Sequence, residues 1–276
     1  MTSAAVKATM KAAAKALKSP QPIPADLPIK LGVDLGTAFT VLVVTDEAGT
    51  PLAAAHTFAD VVRDGVVWDF AGAQQVVRNL RLQLEEATGR ELTRGAVTIP
   101  PGVNAADHRA HRYVIEGAGI DCTAVIDDTT AANAVLGIRN GAVVDIGGGT
   151  TGVAILRDGE VIANIDEPTG GTHLSLVIAG AFGIPFEEAE KRKVKPRLQR
   201  ELLPVVRPTL EKVATIVRDA VRDHDVDHIT MVGGTAAFFG AADIVADVTG
   251  RRTTIATHTM LVTPVGVASW AENLTR

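Results

Sequence analysis

The spacing of hydrophobic positions changes along this chain. Between Ser3 and Lys18, Val6, Met10, Ala14 and Leu17 recur at helical spacing, and Lys7, Lys11, Lys15 and Lys18 form a second, basic stripe. The pattern predicts a short amphipathic helix. Pro20, Pro22, Pro24 and Pro28 follow and predict a stiff, extended linker. Residues 1–28 therefore read as a helix on a tether. It is either a docking peptide that offers its apolar face to a partner or a frayed tail.

From Ile29 the apolar residues come in short runs. Leu31-Gly-Val-Asp34-Leu-Gly36-Thr37 leads into Val41-Leu-Val-Val44 and a turn at Asp46-Glu-Ala-Gly49. Much later, Ala142-Val-Val-Asp145-Ile-Gly147-Gly-Gly149-Thr150 leads into Val153-Ala-Ile-Leu156 and a turn at Arg157-Asp-Gly159. Each copy reads as strand, glycine turn, strand, turn, strand. Helical spacing follows each copy. It is carried by Val76, Val77, Leu80 and Leu84 in the first, and by Leu210, Val213, Val217 and Val221 in the second. Further buried strands are expected at Ala96-Val-Thr-Ile99, Ala124-Val-Ile126 and His228-Ile-Thr-Met-Val232. The internal repeat predicts a duplicated α/β protein with a cleft between its halves. The first lobe spans 29–140 and is completed by 260–276; the second spans 141–259.

Composition narrows the chemistry. Of 276 residues, 46% are hydrophobic but only 4% aromatic, so the core must be aliphatic. The formal net charge of −5 argues against a nucleic-acid partner, which needs a basic face. A single cysteine, Cys122, excludes a disulfide within the chain and reads as a small buried apolar residue in a reducing cytoplasmic setting. His108 and His111 read as surface residues, and no metal spacing emerges among the histidines. No run approaches the ~20 apolar residues a membrane span requires.

The glycine turns carry the candidate chemistry. Turns of this kind expose backbone N–H groups and let them approach phosphate oxygens closely. Gly36, Thr37 and Ala38 form one such turn, and Gly147, Gly148, Gly149 and Thr150 the other. Asp34 and Asp145 precede them and face each other across the predicted cleft. They are suited to hold a hydrated Mg²⁺, and either could orient an attacking water. A third glycine turn, Gly233-Gly234-Thr235, follows a buried strand. The phosphate-loop motif Gly-x-x-x-x-Gly-Lys-Ser/Thr is absent, as is a dinucleotide-binding Gly-x-Gly-x-x-Gly.

In this order, these residues resemble the actin/Hsp70/sugar-kinase superfamily of ATPases. The resemblance implies duplicated RNase H-like lobes around an ATP cleft, with ATP and Mg²⁺ as ligands and Asp34 and Asp145 as metal-holding and catalytic residues. Gly170-Gly171-Thr172 is similar to the Hsp70-type turn after the second meander, and Gly233, Gly234 and Thr235 to the adenosine motif. Glu188, Lys191 and Arg192 are similar to the helix that meets ribose and adenine in that superfamily, although Lys191-Arg-Lys193 also reads as a solvated helix end. Connecting helices resemble those near Thr129-Thr-Ala-Ala132 and Pro264-Val-Gly266-Val-Ala268. Within the superfamily, Val61 to Phe70, Gly147 to Gly152 and Phe186 to Glu190 are similar to the EutJ family of ethanolamine utilisation proteins. The likeness runs from about Ile29 to Asn273. Trp68 and Phe70 read as lobe-packing residues.

Two departures shape the functional expectation. Only Gly183 to Asp227 separates the second meander's helix from the adenosine strand, so the second lobe is reduced, and no peptide-binding domain follows Asn273 to hold clients as Hsp70 does. The first connecting helix usually begins Glu-Pro-Thr-Ala-Ala; here it begins at Asp128, one methylene shorter. Asp128 reads as a catalytic carboxylate, as a helix cap, or as both. A misplacement near ~1 Å can cost on the order of 100-fold in rate. The resemblance thus implies an ATP-binding, slowly hydrolysing chaperone- or reactivase-like protein of ethanolamine utilisation. Its partners would be microcompartment shell proteins or pathway enzymes, engaged through residues 3–18. The alternatives are a non-catalytic ATP-clamped scaffold and an actin-like filament protein.

Overall fold

The computed structural model describes residues 3–274. Two sheets repeat one plan. The first is built from β1 (Ile29–Leu35), β2 (Phe39–Asp46) and β3 (Pro51–Phe58) as an antiparallel meander. The short hairpin β4 (Val62–Arg63) and β5 (Val66–Val67) follows, and β6 (Arg94–Ile99) and β7 (Asp121–Asp127) then extend the sheet in parallel, in the order β3-β2-β1-β6-β7. The second sheet repeats the meander with β8 (Gly141–Ile146), β9 (Thr151–Arg157) and β10 (Glu160–Glu167). Here β11 (His228–Val232) and β12 (Arg252–Ile255) run parallel to β8, in the order β10-β9-β8-β11-β12. The identical orders make the chain a duplicated two-lobe α/β protein.

Nine helices clothe these sheets among the described residues: α1 (Ala4–Lys18), α2 (Phe70–Thr88), α3 (Ala105–Gly117), α4 (Asp128–Leu136), α5 (Gly171–Phe182), α6 (Phe186–Lys193), α7 (Pro196–Val221), α8 (Ala241–Thr249) and α9 (Val262–Ala268). The central strands are buried on both faces, which is why they read as unbroken apolar runs. Leu80 and Leu84 of α2 and Ile115 of α3 cover one face of the first sheet. Leu174, Ile178, Leu210 and Val217 of α5 and α7 cover the matching face of the second. Between the lobes, Val41 and Val43 share a core with Val143 and Ala154, closed by Ala132 of α4 and Val262 and Val265 of α9. Residues 183–227 hold α6 and α7, so the second lobe is short. No helix among the described residues is long and apolar enough to cross a membrane.

The first helix forms where its periodicity placed it, but it is neither tethered nor frayed. Ser3 caps it by accepting the Val6 amide. Val6, Met10, Ala13 and Ala16 are buried, the first three in the inter-lobe core against Val41, Val43 and Ala54. The face that a docking peptide would present is therefore already occupied, and the lysine stripe is what faces solvent. The proline segment is strapped down too. Arg90, 4% exposed, donates to the carbonyls of Pro24 and Leu27, both at 2.7 Å, and the Ile23 amide donates to the Thr88 carbonyl at 2.9 Å. Met10 has no exposed surface, so Met10→Ala is expected to cost about 2–5 kcal/mol in denaturant unfolding. Lys11→Ala should stay within about 0.5 kcal/mol. A tethered helix would make both changes silent.

Candidate functional site

The two glycine turns meet across the cleft. The β1–β2 turn closes with the Gly36 amide donating to the Phe39 carbonyl at 3.1 Å, and the β8–β9 turn with Gly147 donating to Thr150 at 3.0 Å. Among the described residues, the amides of Thr37, Ala38, Gly148, Gly149 and Thr150 have no protein acceptor. Only glycine allows this approach. A Cβ on Gly148 would lie 2.9 Å from Ala38 Cβ, and one on Gly149 would lie 2.5 Å from Thr37 Oγ1 and 3.0 Å from the Asp64 amide nitrogen. The result is a cradle of donors without side chains, open to a cavity of about 470 Å³.

Carboxylates stand behind the cradle. Asp34, on β1, accepts from Thr98 Oγ1 at 2.7 Å, and Asp145, on β8, accepts from Thr263 Oγ1 at 2.6 Å. Each is thereby oriented through one oxygen, Asp145 by a threonine that itself lines the cavity. Asp128 opens α4 and lines the same cavity. Burial raises all three. Asp34 is pushed up to about 7, with Thr98 opposing and Asp145 adding to the shift. Asp128 is pushed well above the ordinary 3.8, first by burial and then by Asp34 and Asp145. Asp145 is raised by burial against the opposing bond from Thr263. Such mutually repelling, desolvated carboxyls make a site waiting for positive charge.

This architecture is shared with solved proteins. The crystal structure of ethanolamine utilization protein EutJ from Carboxydothermus hydrogenoformans superposes with a TM-score of 0.89 at 43% identity, covering 96% of this chain and 98% of that one. Ethanolamine utilization protein EutJ of Escherichia coli K12 is 39% identical over 235 residues, 85% of this chain and 83% of that protein. The chain belongs to the EutJ family. A family model described as type IV pilus assembly protein PilM also matches residues 113–266. MreB5 of Spiroplasma citri bound to AMPPNP superposes at a TM-score of 0.71 with 17% identity, covering 86% of this chain and 94% of that one, which shows a common fold.

In this EutJ-family chain, the cavity is lined by Asp34, Gly36, Thr37, Ala38, Asp128, Asp145, residues 147–150, Gly233, Gly234 and Thr235. Other expected contacts fall elsewhere. Gly171 and Thr172 spend their amides on the carbonyls of Gly147 and Gly148, at 3.0 and 2.7 Å, and a Cβ on Gly170 would strike the Gly148 carbonyl. This turn buttresses the cradle from behind. Thr235 adds to that support by donating to the Gly147 carbonyl at 2.7 Å. Glu188 and Arg192 pair with each other at 3.0 Å on the flank of α6, and Lys191 is exposed. The helix instead turns Glu190 and Lys193 into the cavity. Lys193, 8% exposed, donates to Glu190 at 2.6 Å and to the Gly171 carbonyl at 2.9 Å, so it is no solvated helix end.

Further residues differ from their sequence reading. Asp127, not Asp128, caps α4, accepting from the Thr130 amide at 2.8 Å and from Thr129 Oγ1 at 2.7 Å, which leaves Asp128 free to face the cleft. Asp166 on β10 escaped notice because nothing near it repeats. It is pushed up to about 7 by burial, with Thr150 opposing and Asp145 adding to the shift. His111 is fully buried, whereas Trp68 and Phe70 are only partly packed, 50% and 41% exposed, with Arg63 lying 4.0 Å over the Trp68 ring. Cys122 is half-buried, and burial pushes its thiol up to about 11. The spacing of His111 with Val114 and Ile115 on α3 is the signal that its burial could have been read from.

The raised carboxyls fix the sign of a pH dependence. Asp34 and Asp166 hold protons more tightly when folded than at the ordinary 3.8. Their contribution is therefore complete below about pH 3.8 and is lost as pH rises through about 7. His111 runs the other way: burial lowers it below 6.5, so its contribution is present above 6.5 and is lost on acidification. Between pH 6.5 and 8, the carboxyl effect acts against a fading histidine effect, to which His56 and His228, also lowered by burial, contribute. The ligand-free melting temperature is expected to fall across that interval, with a slope of up to about 1.4 kcal/mol per pH unit for each proton. Asp34→Asn should make the fall shallower, leaving the part that Asp166 supplies. A flat wild-type profile in calorimetry would contradict the assignment.

Proposed function

We propose that this EutJ-family chain is an ATP clamp. It binds ATP with Mg²⁺ between its glycine turns, hydrolyses it slowly, and serves ethanolamine utilisation as a chaperone- or reactivase-like factor beside a bacterial microcompartment. The observation that carries the reading is the meeting of unspent amides from two separate turns in front of buried carboxylates. A triphosphate supplies the acceptors those amides lack. The oxygen-only donor set suits a hard cation, and no three such side chains converge closely enough to chelate a bare ion among the described residues. That favours an ion that keeps most of its water, as Mg²⁺ does.

When bound, Mg²⁺ would neutralise phosphate charge. Asp34 and Asp145 would hold its water shell, oriented by Thr98 and Thr263. Thr37, Ala38, Gly148, Gly149 and Thr150 would hold the phosphates through their unspent amides. Glu190 and Lys193 would meet the sugar. Asp128 would position the attacking water, but burial, with Asp34 and Asp145 nearby, raises its carboxyl well above the ordinary 3.8 and so opposes the charged form that task needs, which supports slow turnover. Contact with shell proteins or pathway enzymes would fall to the exposed Lys7, Lys11, Lys15 and Lys18, since the apolar face of α1 is occupied.

The test is thermal stability titrated with ATP and ADP, with and without Mg²⁺. Nucleotide at 100 times its dissociation constant should add about 2.7 kcal/mol, and chelating the metal should remove most of it. No shift with either nucleotide would refute the clamp. Steady-state phosphate release that collapses in Asp145→Ala separates slow hydrolysis from a purely structural use of ATP.

A further inference from the structure

Beyond Lys193 the cavity ends in carbon. Val194, Pro196, Phe238 and Met260 line it there, and Val194 is 56% exposed despite being apolar. The polar side chain at this end is Gln199, and both halves of its amide are spent. Nε2 donates to the Lys193 carbonyl at 2.9 Å, and Oε1 accepts from the Phe239 amide at 3.0 Å. The two partners also settle which way the amide points, since one only accepts and the other only donates. Lys193 ends α6, Gln199 lies in the first turn of α7, and Phe239 follows the short 3-10 turn Thr235–Ala237. One side chain thus ties three elements and sets the gap between the Val194 and Phe238 walls.

We propose that this end of the cleft is a base slot that accepts adenine and guanine nucleotides alike, its width held by Gln199. The inference rests on the clamp reading above and deepens it. Phosphates go to the unspent amides, and the sugar passes Glu190 and Lys193, which leaves the base against the carbon walls. Such walls recognise a flat ring by area and stacking. Adenine and guanine differ at their edges, and strong discrimination at an edge needs a directed hydrogen bond. Gln199 cannot turn to read either edge without stranding the backbone groups of Lys193 and Phe239.

The experiment is calorimetric titration of the full chain with Mg-ATP, Mg-GTP and Mg-tripolyphosphate, repeated with Gln199→Ala. ATP and GTP are expected to bind within about fivefold of each other, less than one good hydrogen bond would impose. A larger preference for either base overturns the proposal, and this comparison needs no variant. Gln199→Ala should weaken both purine nucleotides by a common factor of about ten and leave tripolyphosphate unchanged. Equal weakening of tripolyphosphate would make Gln199 a general support and overturn its role in slot width. Failure of all three ligands to bind would instead refute the clamp, and is distinct from tight binding with strong base preference.

Discussion

Gly149→Val is expected to abolish nucleotide-dependent stabilisation while leaving a folded protein. The added Cβ would press on Thr37 Oγ1 and on the backbone of Asp64, both belonging to the other lobe. The Thr37 hydroxyl must swing away and the Asp64 backbone must yield by a few tenths of an ångström for the Cβ alone, and the two methyls of valine add to both, which pushes the turns apart. The unspent amides would then no longer converge on one ligand. A loss of at least 100-fold in affinity is expected, about 2.7 kcal/mol, read as the disappearance of the ATP-induced rise in melting temperature. Gly147 supplies the control. A Cβ there would meet only the Thr150 carbonyl, at an ordinary 3.7 Å. Gly147→Ala should therefore bind ATP within a few-fold of wild type, to the order set by about 1 kcal/mol or less. Wild-type affinity in Gly149→Val would mean that the ligand does not sit between the turns.

Gly266→Val should have the largest effect on stability. Gly266 lies on α9 where that helix crosses α4, and a Cβ there would run into the backbone of Ala131. Neither backbone can yield without moving a lobe, because α4 and α9 lie in the core shared by both sheets. The same crossing presses on Gly32 of β1, whose Cβ would lie 2.7 Å from the Ala268 amide nitrogen and 2.8 Å from the Pro264 carbonyl. Overpacking ordinarily costs about 1–3 kcal/mol; against fixed backbone, more than about 3 kcal/mol is expected. For a chain of this size that lowers the melting temperature by roughly 6–12 °C or more. Gly180 on α5 is the counter-test. A Cβ there would meet nothing within 4 Å, so Gly180→Ala should be neutral or stabilising by up to about 1 kcal/mol. If both substitutions cost the same, helix propensity rather than the crossing would be the cause.

Helix α6 shows where sequence reading stops. It offers two overlapping Glu-x-x-Lys frames, Glu188 with Lys191 and Glu190 with Lys193. Both frames pair at a spacing that faces one side of a helix, so spacing cannot choose between them. The choice is made by rotation about the helix axis. Ala189 and Lys193 are buried, which turns Glu190 inward with Lys193 and leaves Glu188 and Arg192 on the flank. The apolar Ala189 was the available signal. The frame chosen from family likeness, Glu188 with Lys191, is not the one that lines the cavity.

Sequence alone determined the repeat, because period and turn chemistry are local. The paired Asp-x-Gly turns mark two meanders, and glycine at residue 36 is a local requirement, since a Cβ there would lie 2.8 Å from the Phe39 carbonyl of its own turn. It also determined that a helix forms near the start of the chain, because its spacing and cap lie within its own residues. It did not determine what that helix touches. Met10 is buried against β-strand residues distant in sequence, and no local pattern distinguishes a face waiting for a partner from one already matched within the chain. The carboxylate environment is likewise tertiary. Asp34, Asp128, Asp145 and Asp166 come from four separate elements, and their raised affinity for protons follows from shared burial. Burial and mutual distance are properties of the folded chain, and they decided that the hairpin aspartates share their cleft with Asp128, with Asp166 beside it.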